Sequence, residues 1–153
     1  IKRLRWKDHR NMSMRGEDVL AFNLDSKGGG LKILKAEVKS RAGMRTAVID
    51  EARATLSANN GLPSPHAIAF VADRSNEAGD VVLGDALDKA QLKDGIRTSQ
   101  VSHMLFTFSG NDPLKFLKTN LQAYAGPVPQ HYVGLRVDGH QDFIKAVFAA
   151  VGK

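Results

Sequence analysis

Cysteine is absent from all 153 residues, which excludes disulfides, thiolate zinc sites and cysteine nucleophiles and fits a reducing cytoplasm. No run of about 18 apolar residues is present, so no membrane-spanning helix and no membrane partner are expected. The start of the chain also lacks the short apolar stretch that follows the basic residues of a signal peptide. Histidine is sparse. His9, His66, His103, His131 and His140 include no two residues three or four apart, the spacing at which a helix presents paired metal ligands. His66, His103 and His131 fall in or beside expected strands and read as packed, hydrogen-bonded side chains. Neither "SKGGG" nor "GNDPLKFL" ends in the Gly-Lys-Ser/Thr of a phosphate-binding loop, so ATP binding is not indicated. Internal repeats and low-complexity tracts are missing as well.

Acidic residues are outnumbered, 16 against 22 Lys plus Arg, for a formal charge of +6. The excess gathers at the start, where Lys2, Arg3, Arg5, Lys7, Arg10 and Arg15 face a single acid, Asp8. A polyanion such as nucleic acid is the functional reading, because phosphate contacts dominate non-specific affinity; a solvated, solubilising terminus is the plainer one. Lys2, Arg3, Arg5 and Lys7 are the expected backbone contacts. Trp6 reads as a packing anchor rather than a base-stacking platform. The length suits one domain, residues 1–153, with a real core. Its first residue is Ile rather than Met, so the expectation is a piece of a longer chain.

Strands are expected at 19–24 and 31–38, rich in Val, Ile, Leu and Phe and joined by the turn residues Asp25 to Gly30. Residues 44–59 switch to helical spacing, with Met44, Ala47, Val48, Ala52 and Leu56 on one side and Arg45, Glu51, Arg53 and Ser57 outside that stripe. The short apolar run "HAIAFVA", 66–72, reads as a buried strand. A helix is expected at 80–93, capped by Asp80, then a strand at 101–108 and a helix from Asn111-Asp112-Pro113 to about 123. A strand at 131–137 and an amphipathic helix at 141–151 complete the chain. The fold class is α/β, a mixed central sheet flanked by helices.

Charges within the hairpin are its odd feature, since buried charge is costly. If Asp25 faces Gly30, opposed indices sum to 55, and Asp18 lies opposite Glu37. Alternation then puts Asp18, Glu37 and Lys39 on one face. Two adjacent carboxylates repel, so a cation between them is expected, and oxygen donors favour Mg²⁺ or Mn²⁺. Such an ion lowers the pKa of a water and neutralises charge growing on phosphorus, while Lys39 steadies the phosphorane; these are the parts of a phosphodiesterase. The plainer alternative makes Asp18 and Glu37 strand-end charges with Lys39 as their partner. Asp25, at the turn and facing away from Asp18, reads as a turn residue. Arg41 and Arg45, which follow and open the helix, read as clamps on a nucleic-acid backbone or as ordinary surface charges.

The segment "GEDVLAFNLDSKGGGLKILKAEVKS" resembles the core of the PD-(D/E)xK nuclease superfamily. There an Asp opens one hairpin strand, a Glu-x-Lys closes the next and a helix follows. Asp18, Glu37 and Lys39 take those three places, and residues 44–59 take that of the helix. The match extends through "HAIAFVA", about the first half of the chain. Within the superfamily the whole chain is similar to the nuclease subunit of the Hachiman antiviral defence system, which works beside a helicase. The resemblance implies a restriction-endonuclease-like core and a Mg²⁺- or Mn²⁺-dependent endonuclease acting on DNA. Asp18, Glu37 and the carbonyl of Val38 would hold the metal, and a helicase subunit would be a partner. Many members add a Glu from a preceding helix, which residues 1–15 do not show. Glu17 fills that role only by turning inward at the strand start; otherwise the ligand precedes this chain, and the number of metals stays open.

The expected function is therefore hydrolysis of DNA phosphodiester bonds by water attack, in antiviral defence. Two other classes remain. One is a non-catalytic DNA- or partner-binding module with a decayed nuclease fold; the other is a structural subunit that docks through Phe143, Val147 and Phe148 of the last helix.

Overall fold

A computed structural model describes residues 17–25 and 30–151. The basic residues Lys2, Arg3, Arg5 and Lys7, with Trp6 and most of the glycine turn, lie outside the described residues. Within them, no helix is long and apolar enough to cross a membrane.

The hairpin forms from β1 (Val19–Asp25) and β2 (Gly30–Arg41), antiparallel, with Asp25 paired to Gly30 and Val19 to Ala36. These pairs all sum to 55, so the expected register is the observed one. Gly30 sits at φ +77°, a left-handed conformation that a side chain would strain. Two later strands extend the sheet, β3 (Val101–Ser109) parallel to β2 and β4 (Gln130–Arg136) parallel to β3, in the order β1-β2-β3-β4. The mixed α/β sheet is thus established.

Among the described residues five α-helices flank it: α1 (Thr46–Ser57), α2 (Pro65–Glu77), α3 (Val81–Lys89), α4 (Leu114–Gln122) and α5 (His140–Val151). Helix α2 corrects one expectation, because "HAIAFVA" is helical and not a strand. Local chemistry marks its start. Ser64 is the N-cap, its hydroxyl accepting the Ala67 N–H at 3.2 Å, and Pro65 occupies the first turn, where its missing N–H costs nothing. A short apolar run does not distinguish a buried strand from a buried helix segment, and Ala67, Ile68 and Ala72 are buried on a helix here.

Asp80 does cap α3, accepting the Leu83 N–H, and a π-helical turn, Ala90–Asp94, extends the helix to Gly95. Asn111 has a different task from the expected cap. Its amide accepts the Met44 N–H at 2.6 Å and donates to the Met44 carbonyl at 3.1 Å, while Asp112 accepts from Leu114 at the start of α4. Met44 is therefore pinned in the loop ahead of α1.

One face of the sheet carries the core. Every second residue of β3, from Val101 through Leu105 to Ser109, is buried on it. Ile68, Ala72 and Leu87 close over Leu31, Ile33 and Val101 at one end. At the other, Met44, Ile49 and Leu56 pack with Leu105 and Leu117. On the opposite face Val19, Val38, Val133 and Leu135 stay exposed, and α5 covers one end through ring contacts of Phe108 with His140 and Phe143.

Polar groups are buried where α1 ends. The Lys35 ammonium donates to the carbonyls of Ala58 and Leu62 at 3.3 and 3.1 Å, the first of which also accepts the Gly61 N–H at 3.1 Å in the turn that follows α1. Beside it on β3, His103 bonds the Gly61 carbonyl through Nε2 at 2.7 Å and meets the Gln130 amide nitrogen through Nδ1 at 2.9 Å. A ring that donates at one nitrogen and accepts at the other is neutral. Burial, helped by the charges of Lys35 and Arg53 against the Gly61 bond, lowers its pKa below the ordinary histidine value. On acidification through about 6.5, the unfolded ring takes up a proton that the folded ring refuses, so stability falls as pH drops. Urea unfolding at about pH 7.5 and about pH 5.5 should show that loss, and His103→Gln should shrink it. Equal losses in both proteins would assign the pH dependence to other groups.

Candidate active site

Strand parity delivers the three expected residues to the helix-covered face. Asp18 precedes β1 and continues the set Leu20, Phe22 and Leu24, which packs against the core. It is exposed, and its Oδ2 accepts the Val38 N–H at 2.8 Å. Glu37 is 7 % exposed, beside Leu105 of β3. Lys39 is two residues further along the same face.

The Lys39 ammonium is held twice. It lies 2.9 Å from Glu37 Oε1 and 3.0 Å from Glu51 Oε1, with its side chain 13 % exposed. Burial by itself would depress the lysine pKa, but the bonds and charges of Glu37 and Glu51 outweigh it and raise the value above normal. Lys39 is consequently charged throughout the neutral range, and its contribution to stability is lost only as pH rises beyond that of an ordinary lysine. The hydrogen bond from Lys39 in turn lowers the pKa of Glu51, which the charges of Lys39 and Arg41 support.

Glu51 is the residue that sequence reasoning missed. It stands outside the apolar stripe of its helix, where a solvated charge is the default. Only the docking of α1 beside β2 turns it toward Lys39, and no spacing in the sequence marks it.

Glu17 does turn inward, toward a different place. Its Oε1 accepts the Ser64 N–H at 2.7 Å, its Oε2 accepts the Ser64 hydroxyl at 3.2 Å, and Oε1 lies 3.8 Å from the Lys35 ammonium. It thereby ties the start of the hairpin to the start of α2, and the structure does not bring it to Glu37 and Lys39. Arg41 ends β2, its guanidinium donating to the Ser40 carbonyl at 2.9 Å, and Arg45 is exposed just ahead of α1. The two arginines flank the loop that leaves the site.

Asp18, just ahead of β1, and Glu37, on β2, offer hard oxygen donors, with no thiolate and no clustered imidazole. Val38 lies beyond the last pair of the β1–β2 ladder, and its N–H already points to Asp18. N–H and C=O of one residue leave a strand on the same side, so its carbonyl is directed there too. Among the described residues no group of three or more His, Cys, Asp or Glu side chains is placed to hold a metal. Mg²⁺, though, is commonly held by one or two carboxylates, with water and substrate phosphate completing its shell. An ammonium resting on Glu37 shows that the position favours positive charge. The donor set therefore fits such an ion.

Because Glu37 is paired, its removal should not relieve the hairpin. Glu37→Ala takes one of two acceptors from a mostly buried ammonium and is expected to cost about 1–2 kcal/mol in urea unfolding. A gain in stability would instead mean that repulsion from Asp18 dominates.

The family model described as HamA matches residues 1–151. Over 148 residues the chain is 26 % identical to the Hachiman protein HamA of Bacillus cereus, an alignment covering 97 % of this chain and 51 % of that relative. The chain thus spans about half the length of the curated relative. With the matched region taking in both strands of the hairpin, Glu51 and nearly all the rest of the sequence, the chain belongs to the HamA family.

Proposed function

We propose that this chain is the nuclease part of a Hachiman-type antiviral defence protein, hydrolysing DNA phosphodiester bonds in the cytoplasm with Mg²⁺ or Mn²⁺. The observation that carries the reading is the placement of Glu37 and Lys39, 2.9 Å apart, on the face that Asp18 joins from across the hairpin. Family membership and the relative's name support the defence role, and the PD-(D/E)xK resemblance supports the chemistry.

Asp18, Glu37 and the Val38 carbonyl would hold the ion. When bound, it would supply Lewis acidity and a water of lowered pKa. The protein's own contribution is positional. Lys39, charged throughout the neutral range, offers a donor to the attacking water or to the phosphoryl oxygens as negative charge grows there. Arg41 and Arg45 would engage flanking phosphates, and Lys2, Arg3, Arg5 and Lys7 would add backbone contacts without reading sequence. A helicase subunit is the proposed protein partner, one that would present DNA to the site.

The second reading is a non-catalytic module on the same scaffold. It is favoured by the fact that Val38 N–H and Lys39 already satisfy Asp18 and Glu37. Incubating plasmid with the protein and Mg²⁺, Mn²⁺ or EDTA separates the two: cleavage should appear with metal and vanish with EDTA. Lys39→Met should abolish it, leaving DNA binding near its original strength. No cutting by the native protein with either ion would remove the nuclease assignment, and cutting that persists in EDTA would remove its metal dependence.

Neutralising Lys2, Arg3, Arg5 and Lys7 together should also flatten the salt dependence of DNA affinity, by up to about 0.9 in log–log slope for each phosphate that is no longer neutralised. An unchanged slope would leave that stretch as solvated charge.

A further inference from the structure

The Lys39 ammonium rests on Glu37 Oε1, an oxygen of the carboxylate assigned to the metal, and at nearly the same distance on Glu51 Oε1. A divalent cation and an ammonium cannot share one carboxylate oxygen without strong repulsion. We propose that Lys39 and the metal compete for Glu37, and that Glu51 is the positioning residue that keeps the ammonium when the metal takes Glu37. The inference rests on the metal-dependent reading above.

The geometry favours this division of labour. Glu37 is almost fully buried on β2, with its Oε1 held by Lys39. Glu51, by contrast, has a side chain 62 % exposed and stands on α1, outside the hairpin. With its 13 % exposed side chain, Lys39 has little route to water; losing Glu37 without a second acceptor would strand its charge in a mostly desolvated position. Because Glu51 already lies at hydrogen-bond distance, the ammonium can give up one acceptor and keep the other with no rotation of its stem. Release of Glu37 and retention of Lys39 beside the reacting phosphate then become a single event.

A double-mutant cycle read by metal affinity tests this without any need for turnover. Mn²⁺ binding to the full chain would be measured by calorimetry at about 1 M salt, where the screening length falls to about 3 Å and through-space effects of exposed charges beyond it are largely screened. The four proteins are the native chain, Glu51→Gln, Lys39→Met and the double variant. Removing the competitor in Lys39→Met should tighten binding by about threefold to tenfold. Glu51→Gln should weaken it by a similar factor while Lys39 is present and change nothing in the Lys39→Met background. Lys39→Gln, which keeps a polar head, repeats the cycle if Lys39→Met loses its cooperative unfolding transition. Equal weakening by Glu51→Gln in both backgrounds would make Glu51 a direct ligand and overturn the proposal, as would no effect in either. Native protein that unfolds cooperatively yet takes up no Mn²⁺ would remove the metal site itself, a failure distinct from these two.

Discussion

The pairing of β1 with β2 is the constraint on which the site depends. Side chains alternate along strands, so a slip of one residue would send Asp18 to the face opposite Glu37 and Lys39. The register is held at both ends: Gly30 takes the positive φ that the turn needs, and Asp18 itself accepts the Val38 N–H. Between them Leu20, Phe22 and Leu24 bury against the same core as Leu31 and Ile33. A slip would expose that whole row, so burial of the hairpin and alignment of the acids are enforced by one physical cause.

The two lysines of β2 show how strongly location decides the state of a charge. Lys35 and Lys39 are four residues apart on the same face. Burial lowers the Lys35 pKa, with only partial compensation from Glu17 and Glu37, and its ammonium serves carbonyls at the end of α1. Lys39 has two close carboxylates, which raise its pKa despite desolvation. One lysine braces the fold behind the site, and the other is the cation within it. Glu17 belongs with the first, since it neighbours Asp18 in sequence yet lies against Lys35 and Ser64.

The helices serve the site unevenly. Helix α1 closes half of the core with Ile49, Ala52 and Leu56 and still directs Glu51 outward to Lys39. On the same face, Arg53 lies 4.3 Å from the Tyr124 ring, just past α4, and 5.6 Å from that of Tyr132 on β4, and it donates to the Asn120 carbonyl of α4. The far face is covered differently, with apolar Val133 and Leu135 exposed and Phe148 of α5 74 % accessible.

Much is legible in the sequence because it depends on local chemistry. The hairpin, its register and the face shared by Asp18, Glu37 and Lys39 follow from period-two alternation about a glycine turn. The Asp80 cap and the strand at β3 follow from equally local signals. The run at 66–72 misleads because seven apolar residues fit either a buried strand or a helix, and Ser64-Pro65 resembles the end of one element as much as the start of another. What the tertiary structure alone decided is which charges meet. Glu51 reaches Lys39, Glu17 reaches Ser64 and Asn111 reaches Met44 across separations of 12 to 67 residues. No local period records the docking of a helix on a sheet. The strands thus fixed which acids face one another, and packing chose the partners that share Lys39.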